Sequence, residues 1–363
     1  MRKKERLNLQ VFLTNRCNLA CSYCFQHHFE QSFNFDAFIK SVWELKSLLS
    51  PKELSVMFCG GEPFVAFEEI KAVVDFIAKE FDNIPVIFYV TTNGTLLTPD
   101  IVEYIAEKNI DISVSIDGRQ DLHDKNRLFS NGQGTFDVVN KNLKLLRDNE
   151  VPVCIKTVVS DLSTVKDTYL YIKQQWNPES FFLSECIGKT VIVKSQYEME
   201  HYSRLWREII DMELDCFFRD GTWSLIRFSS LLKRLFAKEK YLAFCDACNG
   251  TYCIFLNGDI YPCYRAAEFP EFKLDAGSIK KADTLFMKGI SKKVNETCSD
   301  CGILQLCGGG CAINSYEFGG EIANIYEPDC QMCRMYGELV LYMLGKIIKL
   351  PFDDIKKILR IGA

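Results

Sequence analysis

Hydrophobic positions follow two alternating periods over the first half of the chain. Short apolar runs with strand-type spacing recur six times and predict six strands. They are Leu7–Leu13, Leu54–Phe58, Val86–Thr91, Asp111–Ile116, Val153–Val159 and Ser180–Leu183. Amphipathic segments with helical spacing separate them, at Asp36–Leu49, Phe67–Phe81, Thr98–Lys108, Thr135–Asp148 and Thr164–Gln175. Six consecutive βα units predict an α/β fold with a parallel sheet covered by helices, and a partial (β/α)6 barrel of TIM type fits them better than a closed eightfold barrel.

The second half of the chain has a different pattern. Two helical stretches, Gln196–Phe218 and Ser224–Phe236, are broken at Asp220-Gly221 and predict a helical connector. Short strands, a turn at Asn257-Gly258 and dense cysteine then indicate a small domain held by metal rather than by a large core. We therefore expect a barrel over 1–195, a connector over 196–240, a cysteine-rich domain with a closing helix over 241–348 and a tail over 349–363.

Composition and charge narrow the class of protein. The chain has 363 residues, of which 48% are hydrophobic and 25% charged, as is typical of globular proteins. A net charge of −5 gives no basic surface for nucleic acid or for an anionic membrane. The first residues are followed at once by an alternating segment, and no long uninterrupted apolar window follows. We expect a cytoplasmic protein that binds neither nucleic acid nor membrane.

Cysteine is far more frequent than in an ordinary cytoplasmic protein. The chain contains 17 cysteines, and most of them fall into three groups. Without an export signal, such grouping favours metal or redox chemistry over disulfides. The isolated residues Cys59, Cys154, Cys186 and Cys216 lie in apolar surroundings, and we expect them to be buried small hydrophobic side chains.

The first cysteine group directly follows the first predicted strand. Cys17, Cys21 and Cys24 are separated by three and two residues. Three thiolates on one loop hold three irons of a 4Fe-4S cluster and leave the fourth iron open to a cofactor. A zinc site is the alternative, with a histidine as the fourth ligand.

This motif, placed after strand one of a βα barrel, resembles that of the radical S-adenosylmethionine (SAM) superfamily. After the second predicted strand, Gly60-Gly61-Glu62-Pro63 resembles the family's GGEP motif, and the resemblance implies that these four residues approach the methionine amino group of SAM. Later strand ends carry Asn93, Ser115 and Arg127, which resemble the polar groups that hold the ribose and carboxylate of SAM. Such loops suit a barrel, because active sites collect at the carboxyl ends of its strands.

The C-terminal cysteines resemble the SPASM domain of radical SAM enzymes that modify peptides and proteins. The pattern Cys-x2-Cys-x5-Cys-x3-Cys begins at Cys298, and Gly258-x4-Cys263 precedes it. The resemblance implies two auxiliary 4Fe-4S clusters, and hence three clusters in all. The ligands implied for one cluster are Cys245, Cys248, Cys263 and Cys311, and those for the other are Cys298, Cys301, Cys307 and Cys330. Two further cysteines exceed this ligand set. Cys253 could replace Cys245 or Cys248, and Cys333 could replace Cys330. Two structural zinc sites are the alternative.

The resemblance implies reductive cleavage of SAM to a 5′-deoxyadenosyl radical, which abstracts a hydrogen atom from a peptide or protein. Two functions within the family compete, namely a ribosomal-peptide maturase that forms a thioether or carbon-carbon crosslink, and an anaerobic sulfatase-maturing enzyme that makes formylglycine from Cys or Ser. In the second group an Asp that acts as base follows the equivalent of Cys263, whereas Tyr264 stands here, and Phe25-Gln26 also departs from the usual Phe-Tyr. These departures favour the peptide maturase. The implied partners are a flavodoxin or ferredoxin as electron donor and a separate leader-peptide recognition protein. A non-catalytic, metal-stabilised binding protein is the alternative of another class, and the general base stays open.

Overall fold

A computed structural model describes residues 5–27, 30–186, 194–237, 243–281 and 284–359 of the chain. The strands are β1 Arg6–Thr14, β2 Glu53–Gly60, β3 Val86–Thr92, β4 Ile110–Ser115, β5 Val153–Val159, β6 Ser180–Glu185, β7 Thr251–Ile254 and β8 Ile260–Tyr261. The helices of the first half are α1 Phe35–Leu49, α2 Phe67–Glu80, α3 Pro99–Glu107, α4 Gln120–Asn126, α5 Phe136–Asp148 and α6 Val165–Gln175. The α/β fold with a mainly parallel sheet is thereby confirmed.

The helices of the second half are α7 Gln196–Asp220, α8 Ile226–Phe236, α9 Ala276–Lys281, α10 Leu285–Lys292, α11 Leu304–Cys307, α12 Ala312–Gly319, α13 Glu327–Ile347 and α14 Phe352–Leu359. A π-helix covers Lys293–Thr297, and short 3₁₀ helices cover Pro63–Ala66, Leu162–Thr164, Ala266–Glu268 and Pro270–Phe272. Within the part of the chain that the structure describes, no helix is both long and apolar enough to cross a membrane.

The chain divides into two compact units. The first comprises 1–115, 123–153 and 246–288, and the second comprises 116–122, 154–245 and 289–363. The domain boundaries expected from the sequence, at 195, 240 and 348, stay a prediction.

In the first unit, neighbouring strands follow the order β4-β3-β2-β1-β7-β8. All pairs are parallel except β7 with β8. Leu9, Val11 and Phe12 of β1 are almost completely buried, because β1 has a neighbour on each edge and helices pack on the sheet. The turn expected at Asn257-Gly258 is present, and a Cβ on Gly258 would lie 2.6 Å from the Cβ of Ala37 on α1.

In the second unit, β5 and β6 pair in parallel, and α7 packs against α6 and α13. A capping box starts α7, in which Ser195 and Glu198 bond each other's backbone. The aromatic core around Trp206 includes Phe228 and Tyr336, with ring centroids 5.3 and 5.8 Å from the Trp206 ring.

Glu213 of α7 is completely buried in the second unit and is fully paired. Its carboxylate accepts hydrogen bonds from the hydroxyl of Tyr169 at 2.9 Å and from the backbone and hydroxyl of Ser224 at 2.7 Å each. The Lys173 ammonium lies 3.1 Å away. This network joins α6, α7 and the segment before α8, and it satisfies a charge that would otherwise be costly to bury.

Candidate active site

The cysteine loop starts where β1 ends, and the glycine pair at the end of β2 holds it in place. The backbone N–H of Gly61 donates to the carbonyl of Thr14 at 2.8 Å, and that of Glu62 donates to the carbonyl of Arg16 at 3.0 Å. A Cβ on Gly60 would lie 2.3 Å from the Thr14 oxygen, and one on Gly61 would lie 2.3 Å from the Arg16 oxygen. Glycine is therefore required here by the close approach of two backbone segments of the protein itself.

Glu62 is buried beneath this turn, with 1% of its surface exposed. One carboxylate oxygen accepts from the backbone of Phe64 at 3.1 Å and from the hydroxyl of Thr92 at 2.7 Å. The other accepts from the backbone of Asn93 at 2.7 Å. Burial raises the pKa of Glu62 to about 7, although these three hydrogen bonds act in the opposite direction. Pro63 follows as the first residue of the 3₁₀ helix that Glu62 caps.

Asn93 at the end of β3 connects the cysteine loop to the sheet. Its amide nitrogen donates to the side-chain oxygen of Asn18 at 2.9 Å, and its own side-chain oxygen accepts from the backbone of Thr95 at 2.9 Å. The amide nitrogen also lies 3.9 Å from the Cys17 sulfur. The structure thus gives Asn93 a part in positioning the loop, which the sequence did not indicate.

Cys17 and Cys21 are half-buried and Cys24 is exposed. Burial raises the pKa of the Cys17 thiol to about 11, and a hydrogen bond from the Leu19 backbone lowers it. The negative charges of Glu62, Cys21 and Cys24 raise it further, so the three thiols share one electrostatic environment. Three thiols from one loop, two half-buried and one exposed, are a donor set that fits a 4Fe-4S cluster with one open iron.

The remaining residues expected near SAM lie in the same unit. The backbone of Ser22 in the cysteine loop donates to the carbonyl of Asn126 at 2.9 Å, just before Arg127. Arg127 is 8% exposed, and its guanidinium lies 5.4 Å from the ring centroid of Tyr23. Ser115 ends β4 and is 9% exposed. The short helix α4 that leads to Arg127 was not predicted.

An aromatic contact borders the cysteine loop in this unit. Phe25 directly follows Cys24, and its ring centroid lies 5.8 Å from that of Tyr264. The Arg265 guanidinium lies 5.1 Å from the Phe25 ring centroid. The backbone N–H of Tyr264 donates to the side chain of Gln10 on β1 at 2.8 Å, which fixes the segment after Cys263 against the sheet.

In the second unit, four predicted ligands line one cavity, namely Cys298, Cys301, Cys307 and Cys330. The hydrogen bond from the Cys333 thiol lowers the pKa of Cys307 to about 7. Cys333 lies one helical turn beyond Cys330 and does not line this cavity. Among the described residues, no three His, Cys, Asp or Glu side chains are arranged to hold a single metal ion. A 4Fe-4S core spaces its thiolates more widely than a zinc ion with Zn–S of about 2.3 Å does.

The other predicted auxiliary ligands are distributed over both units. Cys248 and Cys263 belong to the first unit, and Cys245 and Cys311 belong to the second. Cys248 is 4% exposed, has a left-handed backbone with φ 58° and accepts from the Thr284 hydroxyl at 3.7 Å.

Two of the cysteines expected to be inert or surplus have neighbours that the sequence did not indicate. The Cys253 thiol on β7 is fully buried and hydrogen-bonds with the Cys59 thiol. Cys59 is half-buried rather than buried, because its sulfur lies at the carboxyl end of β2, where it also bonds the Val11 carbonyl at 3.4 Å. Cys154, Cys186 and Cys216 are half-buried as well.

Lys293 is a residue that sequence reasoning missed. It opens the π-helix in the second unit and is only 3% exposed. Its ammonium donates to the carbonyl of Gly309 at 3.1 Å and to the hydroxyl of Ser315. Burial lowers the pKa of Lys293, whereas the nearby Cys298 and other acidic groups raise it. One lysine among several in its segment gives no signal of burial in the sequence.

Comparison with known proteins gives one family and several relatives. Residues 11–167 match the Radical SAM superfamily. The cysteine-type anaerobic sulfatase-maturating enzyme of Clostridium perfringens (strain 13 / Type A) is 25% identical over 359 residues, covering 92% of this chain and 94% of the relative. The radical SAM cyclopropyl synthase TigE of Paramaledivibacter caminithermalis is 23% identical, covering 96% of this chain and 76% of the relative. Native anSMEcpe with bound AdoMet and Cp18Cys peptide superposes with a TM-score of 0.76 at 22% identity, covering 95% of this chain and 98% of that one.

The fold and the cysteine loop thus define an enzyme that uses SAM and an iron-sulfur cluster. Residues 11–167 of the chain carry the domain of the radical SAM superfamily. Its fold over nearly the whole length is that of the peptide-bound anSMEcpe structure.

Proposed function

We propose that this enzyme oxidatively modifies a side chain of a peptide, as a ribosomal-peptide maturase that forms a thioether or carbon-carbon crosslink. The observation that carries this choice is Tyr264, which packs on Phe25 at the edge of the cysteine loop. The sulfatase-maturing enzymes resemble this chain but have a carboxylate base at the corresponding position. A phenolic hydroxyl is a much weaker acid than a carboxylic acid and does not replace a carboxylate as a base.

The residues of the first unit would bind and orient SAM. Cys17, Cys21 and Cys24 would hold a 4Fe-4S cluster, which would supply the electron for cleavage of SAM and so allow a hydrogen atom to be removed from the substrate. Glu62 would accept from the SAM ammonium, because its carboxylate is held rigidly by three donors. Arg127 would face the carboxylate of SAM and Ser115 its ribose. Asn93 would keep the cysteine loop in register with β3.

Oxidative crosslinking removes two hydrogen atoms from the substrate, so it requires an acceptor for one further electron. We infer that two auxiliary 4Fe-4S clusters provide it, with the C-terminal cysteines as ligands. Four thiolate ligands leave no open iron, which suits electron transfer rather than SAM cleavage. A flavodoxin or ferredoxin would supply electrons, and a separate recognition protein would present the leader peptide.

Product analysis on anaerobically purified enzyme tests the proposal. SAM and dithionite are added with short peptides encoded beside the gene, and the reaction is followed by 5′-deoxyadenosine formation and by peptide mass. A crosslink appears as loss of two hydrogen atoms. The Tyr264→Phe variant keeps the ring packing and removes the hydroxyl, and we expect its rate to stay within about fivefold of wild type, a change of about 1 kcal/mol in barrier.

The second candidate is maturation of a sulfatase, which the 25% identity over 92% of the chain favours. A peptide that spans the modified cysteine of an anaerobically matured sulfatase is the parallel substrate. Conversion to formylglycine would release sulfide and introduce one oxygen from water. Aldehyde formation on that peptide, with no loss of two hydrogen atoms from the gene-neighbour peptides, would replace our proposal with this one. Absence of 5′-deoxyadenosine with every peptide and with SAM alone would contradict both and favour a non-catalytic binding protein.

A further inference from the structure

Lys293 is a buried cation placed beside the cavity that the four cysteines of the second unit line. The cavity walls include Gly309 and Ser315, and the ammonium of Lys293 donates to both. Its side chain enters from the π-helix Lys293–Thr297, a geometry that occurs frequently at functional sites. Lys292, its neighbour in sequence, is exposed.

The charges around Lys293 are those of the predicted cluster ligands. Cys298, Cys307 and Cys311 all lie within electrostatic range of its ammonium, as does the carboxylate of Asp329. Burying an ammonium is unfavourable unless it is paired and hydrogen-bonded. Lys293 is therefore placed where its positive charge would stabilise negative charge on the thiolates and on a group that they bind.

We propose that Lys293 is a fixed positive charge that raises the reduction potential of the cluster held by Cys298, Cys301, Cys307 and Cys330. The inference rests on the proposed function, because it requires that these thiolates hold an iron-sulfur cluster. One-electron reduction makes such a cluster more negative by one charge, and a nearby cation stabilises the reduced form more than the oxidised form. Net charge and hydrogen bonding are established determinants of the potentials of these clusters.

A purely structural role is the competing explanation. By bonding the Gly309 carbonyl and the Ser315 hydroxyl, Lys293 joins the glycine run to α12. In that role, substitution would change the stability or the iron content of the protein, but each loaded cluster would keep its potential.

The experiment is a redox titration of the full chain, followed by electron paramagnetic resonance. Wild type is compared with Lys293→Met, which removes the charge, with Lys293→Gln, which also keeps a hydrogen-bond donor, and with Lys293→Arg, which keeps the charge. Lys292→Met is the matched control, since it removes an exposed lysine from the same segment. The same variants are made in a chain with Cys17, Cys21 and Cys24 all changed to Ala, so that only C-terminal clusters contribute to the signal.

We expect Lys293→Met and Lys293→Gln to shift the ratio of oxidised to reduced cluster by about tenfold at a fixed potential. This corresponds to a fall of about 59 mV in the reduction potential of the cluster, for a one-electron couple. Lys293→Arg and Lys292→Met should remain close to wild type.

Unchanged potentials in a neutral variant that holds its full iron would overturn the proposal. Loss of iron from both neutral variants, with full iron in Lys293→Arg, would also overturn it and assign Lys293 to cluster assembly. The proposed function is tested separately, by the iron content of wild type and by its products, neither of which depends on Lys293.

Discussion

Replacing Glu62 by Gln isolates the effect of one buried ionisable group. The substitution keeps the shape of the side chain and removes its charge. One side-chain oxygen would still accept from Phe64 and Thr92. The new amide nitrogen would meet the backbone N–H of Asn93, which now donates to Glu62 at 2.7 Å. Two donors facing each other in a buried site cost about 1–3 kcal/mol at every pH.

The pH dependence follows from the raised pKa of Glu62. Burial shifts this pKa from 4.5 to about 7, which corresponds to about 3 kcal/mol. Because the folded-state pKa lies above the unfolded value, the stabilising contribution is complete below about pH 4.5 and is lost as pH rises through 7. Between pH 5 and pH 8, the free energy of unfolding of the iron-free wild type should therefore fall by about 2–3 kcal/mol relative to that of Glu62→Gln. At pH 5 the variant should be less stable than wild type, and at pH 8 it should be equally stable or more stable.

Urea unfolding of the iron-free chains at pH 5, 6, 7 and 8 measures this difference. Glu68→Gln serves as the control, because Glu68 is exposed on α2 and its removal should give a small difference that does not change with pH. If Glu62 also accepts from the SAM ammonium, SAM affinity of the loaded wild type should increase as pH rises through 7, and that of Glu62→Gln should not. Parallel stability curves for wild type and Glu62→Gln would refute the reasoning.

Three further changes test other parts of the structure. Gly61→Ala should lower the iron content of the N-terminal cluster, because the new Cβ would lie 2.3 Å from the Arg16 carbonyl oxygen. Full iron content in this variant would show that the loop can relax. Cys330→Ser should reduce the iron content per chain and Cys333→Ser should not, because of these two only Cys330 lines the cysteine cavity. The reverse result would make Cys333 the ligand. Glu213→Ala should destabilise the chain by about 3 kcal/mol or more in urea unfolding, because it leaves buried partners unpaired, and a loss under 1 kcal/mol would contradict that account.

The fold of the first half could be predicted closely because its signals are local. Strand β5 was predicted with its observed bounds, and the first six strands and five of the helices were found within one or two residues of their ends. The closing helix α13 begins at Glu327 with Pro328 in its first turn, a start that no apolar period marks in the sequence. The pairing of β7 with β1 was not predicted, because a four-residue strand does not show its partner in the sequence.

For the candidate site, the sequence indicated which loops lie together but not the contacts that hold them. The spacing of the cysteines and of Gly60 to Pro63 indicated which side chains converge. The structure adds a reason for the glycines that the sequence did not indicate, because it brings the backbone of Thr14 and Arg16 against them. Such contacts, like the bonds of Asn93 and the burial of Lys293, depend on distant segments and leave no period or motif in the sequence.

The position of β7 beside β1 has a consequence for synthesis of the protein. β1 is largely apolar, and Asn8 on it bonds Thr251 of β7, 243 residues later in the chain. At about 5–20 residues per second, a ribosome needs roughly 12–50 s to cover that distance. During this time one edge of a hydrophobic strand has no partner, and such an edge is a template for pairing with other chains. The nascent chain is therefore prone to aggregate during this time, and chaperones that bind apolar strands would have to protect it.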